Sequence, residues 1–203
     1  MFVVGLVGGS CSGKTTLAEE LEKELLGRSS FISFDCYYKP LTHLAVEERA
    51  KTNFDHPDSI DGRLLAEHVA RLRDGQCLLV PEYDFAVHDR ASQFIAIEPK
   101  EVVILDGMLL GCFEEILSQV DLLIFLDVPA DERLQRRLKR DVFERGRSEE
   151  SIYWQFEHRV SPMHKIFVQS VKERADVLLS WNDEWEKGVK DILEIIEKNK
   201  KSS

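Results

Sequence analysis

The stretch FVVGLVGGSCSGKTT (residues 2–16) joins an apolar run to a glycine-rich loop that contains one lysine and two threonines. Its second part, GGSCSGKT (8–15), fits the pattern G-x-x-x-x-G-K-[S/T] of a phosphate-binding loop. The residues before the loop have a β-strand pattern, and those after it have the leucine spacing of a helix. A strand, this loop and a helix in that order predict a binding site for nucleotide phosphates.

Further apolar runs alternate with helical patterns along the chain, which predicts an α/β fold with a parallel sheet between two layers of helices. This is the three-layer architecture of P-loop proteins, and we expect residues 1–203 to form one domain. The predicted strands are 2–7, 31–34, 102–105, 122–127 and 176–180. The predicted helices are 14–26, 59–75 and 129–146, with an amphipathic helix near the C-terminus and a disordered tail at 199–203.

One region departs from this alternation. The segment CLLVPEYDFAVHDRASQFIAIEP (77–99) holds two strand-like runs around a polar turn and has no helical spacing. It therefore predicts an antiparallel β-hairpin inserted beside the main sheet.

Composition excludes several classes of function. The net charge is −10, from 37 acidic and 27 basic residues, which argues against a general nucleic-acid binder. No apolar run is long enough to span a membrane, and the apolar N-terminus lacks the basic region of a secretory signal. The four cysteines lack C-x-x-C spacing, which is typical of free thiols in a reducing compartment. We expect a cytoplasmic protein without nucleic-acid or membrane partners.

The glycine-rich loop predicts the contacts of a nucleotide. Its backbone N–H groups should surround phosphate oxygens, Lys14 should reach the β- and γ-phosphates, and Thr15 should ligate Mg²⁺. Asp106 follows a second apolar strand and is a second candidate for the Mg²⁺ site, with an ordinary turn aspartate as the alternative. The residues expected to bind ATP are Gly8, Gly9, Ser10, Cys11, Ser12, Gly13, Lys14, Thr15 and Thr16.

Asp35 follows the apolar run FISF (31–34), where a carboxylate is costly to bury. One interpretation is a cap or turn residue, since aspartate is favoured at both. If 31–34 pairs with the phosphate-loop strand, Asp35 lies at the carboxyl edge of the sheet, where ligands bind. It is then placed to accept a proton from an attacking hydroxyl.

A strongly basic segment, RLQRRLKRDVFERGR (133–147), stands out from the acidic chain. Its charges surround a predicted helix, so some must face solvent or pair with Asp131, Asp141 and Glu144. The arginines expected to face phosphate and to act in catalysis are Arg137, Arg140 and Arg145. The ERGR sequence at its end suggests the hinge of a lid over the site.

These segments together resemble the uridine–cytidine kinase family of P-loop nucleoside kinases. The likeness rests on GGSCSGKTT, SFDCYYKP, NFDHPDSID (53–61), PEYDFAVHDR (81–90), LDGMLL and the basic segment, in this order and spacing. It implies transfer of the γ-phosphate of ATP to the 5′-hydroxyl of uridine or cytidine, with Mg²⁺, and assembly as a homotetramer.

The resemblance also implies the positions of the acceptor site. Asp35 matches the family's catalytic base, Asp55 its ribose-binding carboxylate, and the hairpin residues its base-recognition set. The residues implied to bind the nucleoside are Tyr38, Phe54, Asp55, Tyr83, Phe85, His88, Arg137, Arg147 and Gln155.

Elementary chemistry agrees with some of these roles. One carboxylate, such as Asp55, can accept hydrogen bonds from two neighbouring ribose hydroxyls, and aromatic side chains suit a pyrimidine ring. Without the resemblance, Tyr83 and Phe85 would form one packed face of a strand and His88 would be solvated. The NFDHPD sequence would cap a helix.

The chain also departs from the family. Asp106 stands where the family has a glutamate, which shortens the arm that reaches Mg²⁺. In FVQSVKERADVLLSWND (167–183), Ser170 replaces a proline and SWND replaces a PRGG-like sequence, so the assembly state is open. Alternative functions are another P-loop small-molecule kinase (nicotinamide riboside, phosphoribulose or pantothenate type) or a regulatory module that holds ATP without transferring it.

Overall fold

The computed structural model describes residues 1–180 and 185–200. Its strands are β1 (Phe2–Gly8), β2 (Ser29–Ser33), β3 (Leu78–Asp84), β4 (Asp89–Ile97), β5 (Val102–Asp106), β6 (Leu122–Asp127) and β7 (Val177–Ser180). Five of them form a sheet in the order β2–β5–β1–β6–β7, and all four pairings are parallel. The strand that precedes the phosphate loop is therefore the centre of the sheet.

Helices cover both faces of this sheet. They are α1 (Lys14–Glu24), α2 (Val46–Arg49), α3 (Gly62–Arg73), α4 (Glu114–Leu117), α5 (Ala130–Arg145), α6 (Glu149–Gln155), α7 (Ser161–Met163) and α8 (Trp185–Lys200). Leu21 of α1 and Ile192 of α8 pack on one face, whereas Leu65 of α3 and Val171 pack on the other. The predicted three-layer α/β fold is confirmed.

Short 3₁₀ and π-helical turns connect several of these helices and strands. The 3₁₀ turns are Phe34–Tyr37, Pro57–Ser59, Leu110–Cys112 and Gln169–Arg174, and the π-helical turns are Phe156–Val160 and His164–Val168. One nearly continuous helical segment thus runs from α6 to Arg174 and packs beside α5.

The strands β3 and β4 form the inserted hairpin, a separate antiparallel sheet with an irregular register between Pro81 and Tyr83. Two of its charged residues attach it to the loop after β2. The Arg90 Nε donates to the Tyr38 carbonyl oxygen over 2.8 Å, and the buried Asp89 accepts from the Leu41 N–H over 3.0 Å. Because of these bonds, the hairpin and the loop after β2 form one wall.

The position of β2 corrects one expectation. Asp35 was expected at the carboxyl edge of the sheet if residues 31–34 paired with the phosphate-loop strand, but β5 lies between β1 and β2. All five residues of β5 are buried, so β5 suits an interior position, whereas β2 (SSFIS) carries three serines and lies at the edge. Phe34 also leaves the strand and begins the 3₁₀ turn that carries Asp35.

Two predicted boundaries are also corrected. The helix expected at 59–75 begins at Gly62, because Asp61 caps it by accepting a hydrogen bond from the Leu64 N–H over 3.2 Å. The tail expected from residue 199 is helical through Lys200, where the Asn199 side chain donates to the Ile195 carbonyl oxygen. Residues 201–203 lie outside the described residues, as do residues 181–183 of the divergent 167–183 segment.

The cysteines Cys11, Cys36, Cys77 and Cys112 form no disulfide. Across residues 1–180 and 185–200, no helix combines the length and the apolar character needed to cross a bilayer.

Candidate active site

The phosphate loop connects β1 to α1 at the carboxyl edge of the sheet. Gly13 has φ of +98°, a conformation that glycine adopts without steric cost, and it starts α1. Gly9 is also restricted, because a Cβ atom there would collide with the Arg133 guanidinium. Gly13 is therefore favoured by its backbone conformation, and any side chain at Gly9 would displace the Arg133 guanidinium.

Lys14 lies across this loop. Its Nζ donates to the Gly8 and Gly9 carbonyl oxygens over 3.0 and 3.1 Å. Burial lowers the pKa of Lys14, whereas the nearby carboxylates of Asp106 and Asp35 raise it. The ammonium thus lies near two carboxylates at the end of the sheet.

The two residues predicted to hold Mg²⁺ meet directly. The Thr15 Oγ1 donates to the Asp106 Oδ2 over 2.7 Å, although the residues are far apart in sequence. A hydroxyl and a carboxylate are hard oxygen ligands, and Mg²⁺ in phosphoryl-transfer sites takes few protein ligands besides phosphate oxygens and water. This pair fits a shared Mg²⁺ site, and the described residues show no larger cluster of ligand side chains.

Asp35 lies on the 3₁₀ turn after β2, half-buried and facing the same cavity. Burial and the nearby Asp106 raise its pKa, and Lys14, Arg145 and Arg140 oppose this effect. Burial also raises the pKa of Tyr38, with Asp35 and a hydrogen bond to Asp35 adding to the effect. Asp35 is thus a poorly solvated carboxyl group among cationic side chains.

An aromatic wall stands beyond Asp35. The rings of Phe54 and His88 stack with centroids 5.5 Å apart, and Tyr38 lies 5.0 Å from Tyr83. Tyr83 lies 5.0 Å from Phe85, which follows β3 at the hairpin tip. The Tyr83 hydroxyl is buried and has no hydrogen-bond partner within the described chain, so a polar ligand group could satisfy it.

His88 also lies at the hairpin tip, with φ of +53°. Burial lowers its pKa, Arg147 and Arg145 lower it further, and Asp84 opposes them. A neutral imidazole at neutral pH follows, which offers one donor and one acceptor to a ligand.

Asp55 directly follows Phe54 of this wall, on the loop before α3. Burial raises the pKa of Asp55, and Arg137, Arg159 and Arg147 lower it. Arg137 and Arg147 both donate to the Gln155 Oε1, over 3.3 and 3.4 Å, so the amide joins the two arginines. These cations oppose the effect of burial on the pKa of Asp55.

One cavity of about 800 Å³ connects all these groups. It brings together most of the predicted residues, namely Ser10, Cys11, Gly13, Lys14, Thr15, Thr16, Asp35, Tyr38, Phe54, Asp55, Tyr83, Phe85, His88, Asp106, Arg137, Arg140, Arg145, Arg147 and Gln155. Gly8, Gly9 and Ser12 of the phosphate loop are not in its lining. The Ser12 Oγ there is buried without a partner within residues 1–180 and 185–200.

Several residues of the site were missed by the sequence analysis. Arg136 donates to the Ser12 carbonyl oxygen over 3.3 Å, and Arg133 packs on Gly9. Arg159 lines the cavity one helical turn after Gln155, and this i, i+4 spacing was a usable signal. The basic segment (133–147) indicated a cationic helix, but it did not show that Arg133 and Arg136 face the phosphate loop.

The central parallel strand is followed by a phosphate-binding loop, and the cavity beside it is lined by Asp35, Asp55 and Asp106. These features define a P-loop kinase of small molecules. Comparison with known proteins agrees. The chain matches the model of the Phosphoribulokinase / Uridine kinase family over residues 3–184, and it belongs to this family.

Individual relatives agree with this assignment. The chain is 44% identical over 178 residues to a uridine kinase of Brevibacillus brevis, covering 87% of this chain and 83% of the relative. It is 40% identical over 182 residues to the uridine kinase of Escherichia coli K12, covering 87% and 85%.

Solved structures share the fold at low sequence identity. A protein of Bacillus stearothermophilus described as a possible uridine kinase has a TM-score of 0.57 at 21% identity, covering 88% of each chain. Phosphoribulokinase from Rhodobacter spheroides has a TM-score of 0.66 at 11% identity, covering 88% of this chain and 69% of that enzyme.

Proposed function

We propose that this P-loop kinase transfers the γ-phosphate of ATP to the 5′-hydroxyl of uridine, of cytidine, or of both. The observation that carries the proposal is that Asp35 and Asp55 line the same cavity as Lys14. The names of the relatives support a nucleoside as the acceptor. A cytoplasmic location and a homotetrameric assembly stay predictions.

On the donor side, the loop amides and Lys14 hold the phosphates of ATP, and Arg140 and Arg145 approach them from α5. Thr15 and Asp106 would hold Mg²⁺, which when bound neutralises charge on the phosphate oxygens. The protein contributes position and positive charge, which are the main requirements of phosphoryl transfer.

On the acceptor side, Asp55 accepts hydrogen bonds from the ribose hydroxyls, with Arg137 and Arg147 beside it. The aromatic wall takes the pyrimidine ring, and His88 and the Tyr83 hydroxyl take its polar edge. This arrangement directs the 5′-hydroxyl towards Asp35. As the oxygen–phosphorus bond forms and the bond to ADP breaks, the hydroxyl proton passes to the Asp35 carboxylate.

The test of this function is a panel of acceptors assayed with Mg-ATP by ADP release. Uridine or cytidine should be turned over far faster than adenosine, nicotinamide riboside and pantothenate. Ribulose 5-phosphate belongs in the panel, because the arginines near Asp55 would also suit a phosphorylated sugar. Preference for any acceptor other than a pyrimidine nucleoside would overturn the proposal.

We expect His88→Ala to raise the KM for the nucleoside by about tenfold or more, because hydrogen bonds to the base edge would be lost. The KM for ATP should change little, since His88 lies at the hairpin tip, away from the phosphate loop. Steady-state kinetics with each substrate varied in turn measures both constants. His43→Ala changes an exposed histidine that does not line the cavity and is the control. An unchanged nucleoside KM in His88→Ala would place base recognition elsewhere.

The pH dependence of kcat/KM should show an acid limb that reports Asp35. Because burial and Asp106 raise its pKa, the limb should lie above the ordinary aspartate value of about 3.9. Activity falls as the pH drops through this pKa, since the protonated carboxyl cannot accept the hydroxyl proton. A pH–rate profile measures it. Full activity at every acidic pH at which the protein stays folded would contradict the base role.

A further inference from the structure

Asp141 is a fully buried carboxylate on α5 that does not line the cavity. Four arginines that do line the cavity surround it, and we call these five residues the Asp141 cluster. Its members are Arg137, Arg140, Asp141, Arg145 and Arg147. A buried carboxylate with four cationic neighbours must order those side chains, because each long side chain gains a charged partner at one fixed point.

The two oxygens of Asp141 divide the arginines into pairs. The Oδ1 atom faces Arg140 and Arg145, whose Nε atoms lie 2.9 and 3.8 Å away. The Oδ2 atom faces Arg147 and Arg137, at 3.1 Å from Nη1 and 3.5 Å from Nε. Each carboxylate oxygen of Asp141 therefore forms ion pairs with one pair of arginines.

The two pairs act on different halves of the cavity. Arg140 and Arg145 oppose the raised pKa of Asp35, on the side of the phosphoryl group. Arg137 and Arg147 oppose the raised pKa of Asp55, on the side of the ribose, and both donate to Gln155. Arg137 also donates to the Ser10 Oγ of the phosphate loop over 3.1 Å. One carboxyl group thus links the acceptor half to the phosphoryl-transfer half.

The charges explain why a carboxylate is needed there. Burial lowers the pKa of Arg145, and the neighbouring Arg140 and Arg147 lower it further, whereas Asp141 raises it. Burial alone would raise the pKa of Asp141, but Arg140 and Arg137 outweigh burial and hold that pKa below its ordinary value. Without this negative charge, four guanidinium groups would repel one another in a poorly solvated site.

We propose that Asp141 is a positioning residue that couples nucleoside binding to phosphoryl transfer by holding one arginine pair on each of its oxygens. This inference rests on the proposed nucleoside kinase function. Binding of a nucleoside further restricts Arg137 and Arg147, the shared carboxylate then favours one arrangement of Arg140 and Arg145, and ATP binds to a prepared site. Linkage requires the reverse effect as well, so ATP must strengthen nucleoside binding.

The experiment compares Asp141→Asn with Glu144→Gln, a matched control that removes one negative charge from an exposed residue of the same helix. Calorimetry measures the Kd of uridine with and without a non-hydrolysable ATP analogue, and steady-state assays measure kcat. In the wild type and in Glu144→Gln, the analogue should tighten uridine binding by about fivefold or more. In Asp141→Asn this ratio should fall to near one, with kcat about a hundredfold lower.

A residue that only supports the fold would weaken both Kd values and leave their ratio unchanged, which would overturn the proposal. A ratio near one in the wild type would overturn it too. Failure of the proposed function is a separate result, because it appears as a wild-type enzyme that does not turn over a pyrimidine nucleoside at all.

A second measurement keeps Asp141 intact, in case Asp141→Asn does not fold. Arg140→Lys and Arg147→Lys alter one arginine on each oxygen, and a double-mutant cycle compares their single and combined effects on kcat/KM. Coupling through Asp141 predicts effects that differ from additivity by about threefold or more. Additive effects would overturn the proposal.

Discussion

Replacing Asp35 with asparagine should lower kcat by about 10²–10⁴-fold, the usual contribution of a positioned general base. The amide keeps the shape of the side chain but cannot take the proton of the 5′-hydroxyl. The Kd for Mg-ATP should stay within about threefold of the wild type, since Lys14 and the loop amides are unchanged. Single-turnover kinetics and calorimetry measure the two quantities, with Asp58→Asn, a highly exposed carboxylate of the nearby loop, as the control.

The same variant should be more stable than the wild type at neutral pH. The pKa of Asp35 is raised in the folded protein, so its contribution to stability is present at low pH and is lost as the pH rises through that pKa. Asparagine cannot ionise, so Asp35→Asn avoids this loss of stability at neutral pH, and its Tm should be higher than that of the wild type. A kcat within tenfold of the wild type would remove Asp35 from the base role, whatever happens to Tm.

Lys14→Met should lower kcat/KM for ATP by about 10³-fold, because the phosphates lose the one lysine that the loop itself provides. Methionine keeps an unbranched chain of similar length, so the loop should keep its fold. Lys23→Met is the matched control, since Lys23 is an exposed lysine of the same helix α1. Retention of more than about a tenth of the wild-type kcat/KM would contradict the role of Lys14 in phosphoryl transfer.

The parts of the fold that could be predicted are those with local signals. The phosphate loop has a fixed spacing, and β5 and β6 are apolar runs of strand length, so each is readable from a few adjacent residues. The position of β2 at the edge of the sheet was not readable, because strand order depends on contacts between distant segments. Phe34 was placed in a strand because its apolar neighbours continue that pattern, although the chain turns there.

In the candidate site, too, residues with a local sequence signal were predictable and contacts between distant residues were not. Asp35 and Asp106 stand out because a carboxylate at the end of an apolar strand is costly to bury, and the structure places both near Lys14. The family resemblance supplied the role of the aromatic wall, since the spacing of Tyr83 and Phe85 predicts one packed face but no ligand for it. The division of arginines between the two oxygens of Asp141 depends on side-chain rotamers, which a helical period does not determine.

The central place of β1 also sets the order in which the chain can fold during synthesis. Its neighbours are β5 and β6, and Phe2 pairs with Val102 while Val4 pairs with Leu122. Strand β1 must therefore wait until the chain has been made beyond β6 before both of its edges are paired. A nascent chain that stops before Leu122 carries the whole phosphate loop but lacks one of the two strands that flank it in the sheet, so we expect the loop to take its final shape only after β6 has been made.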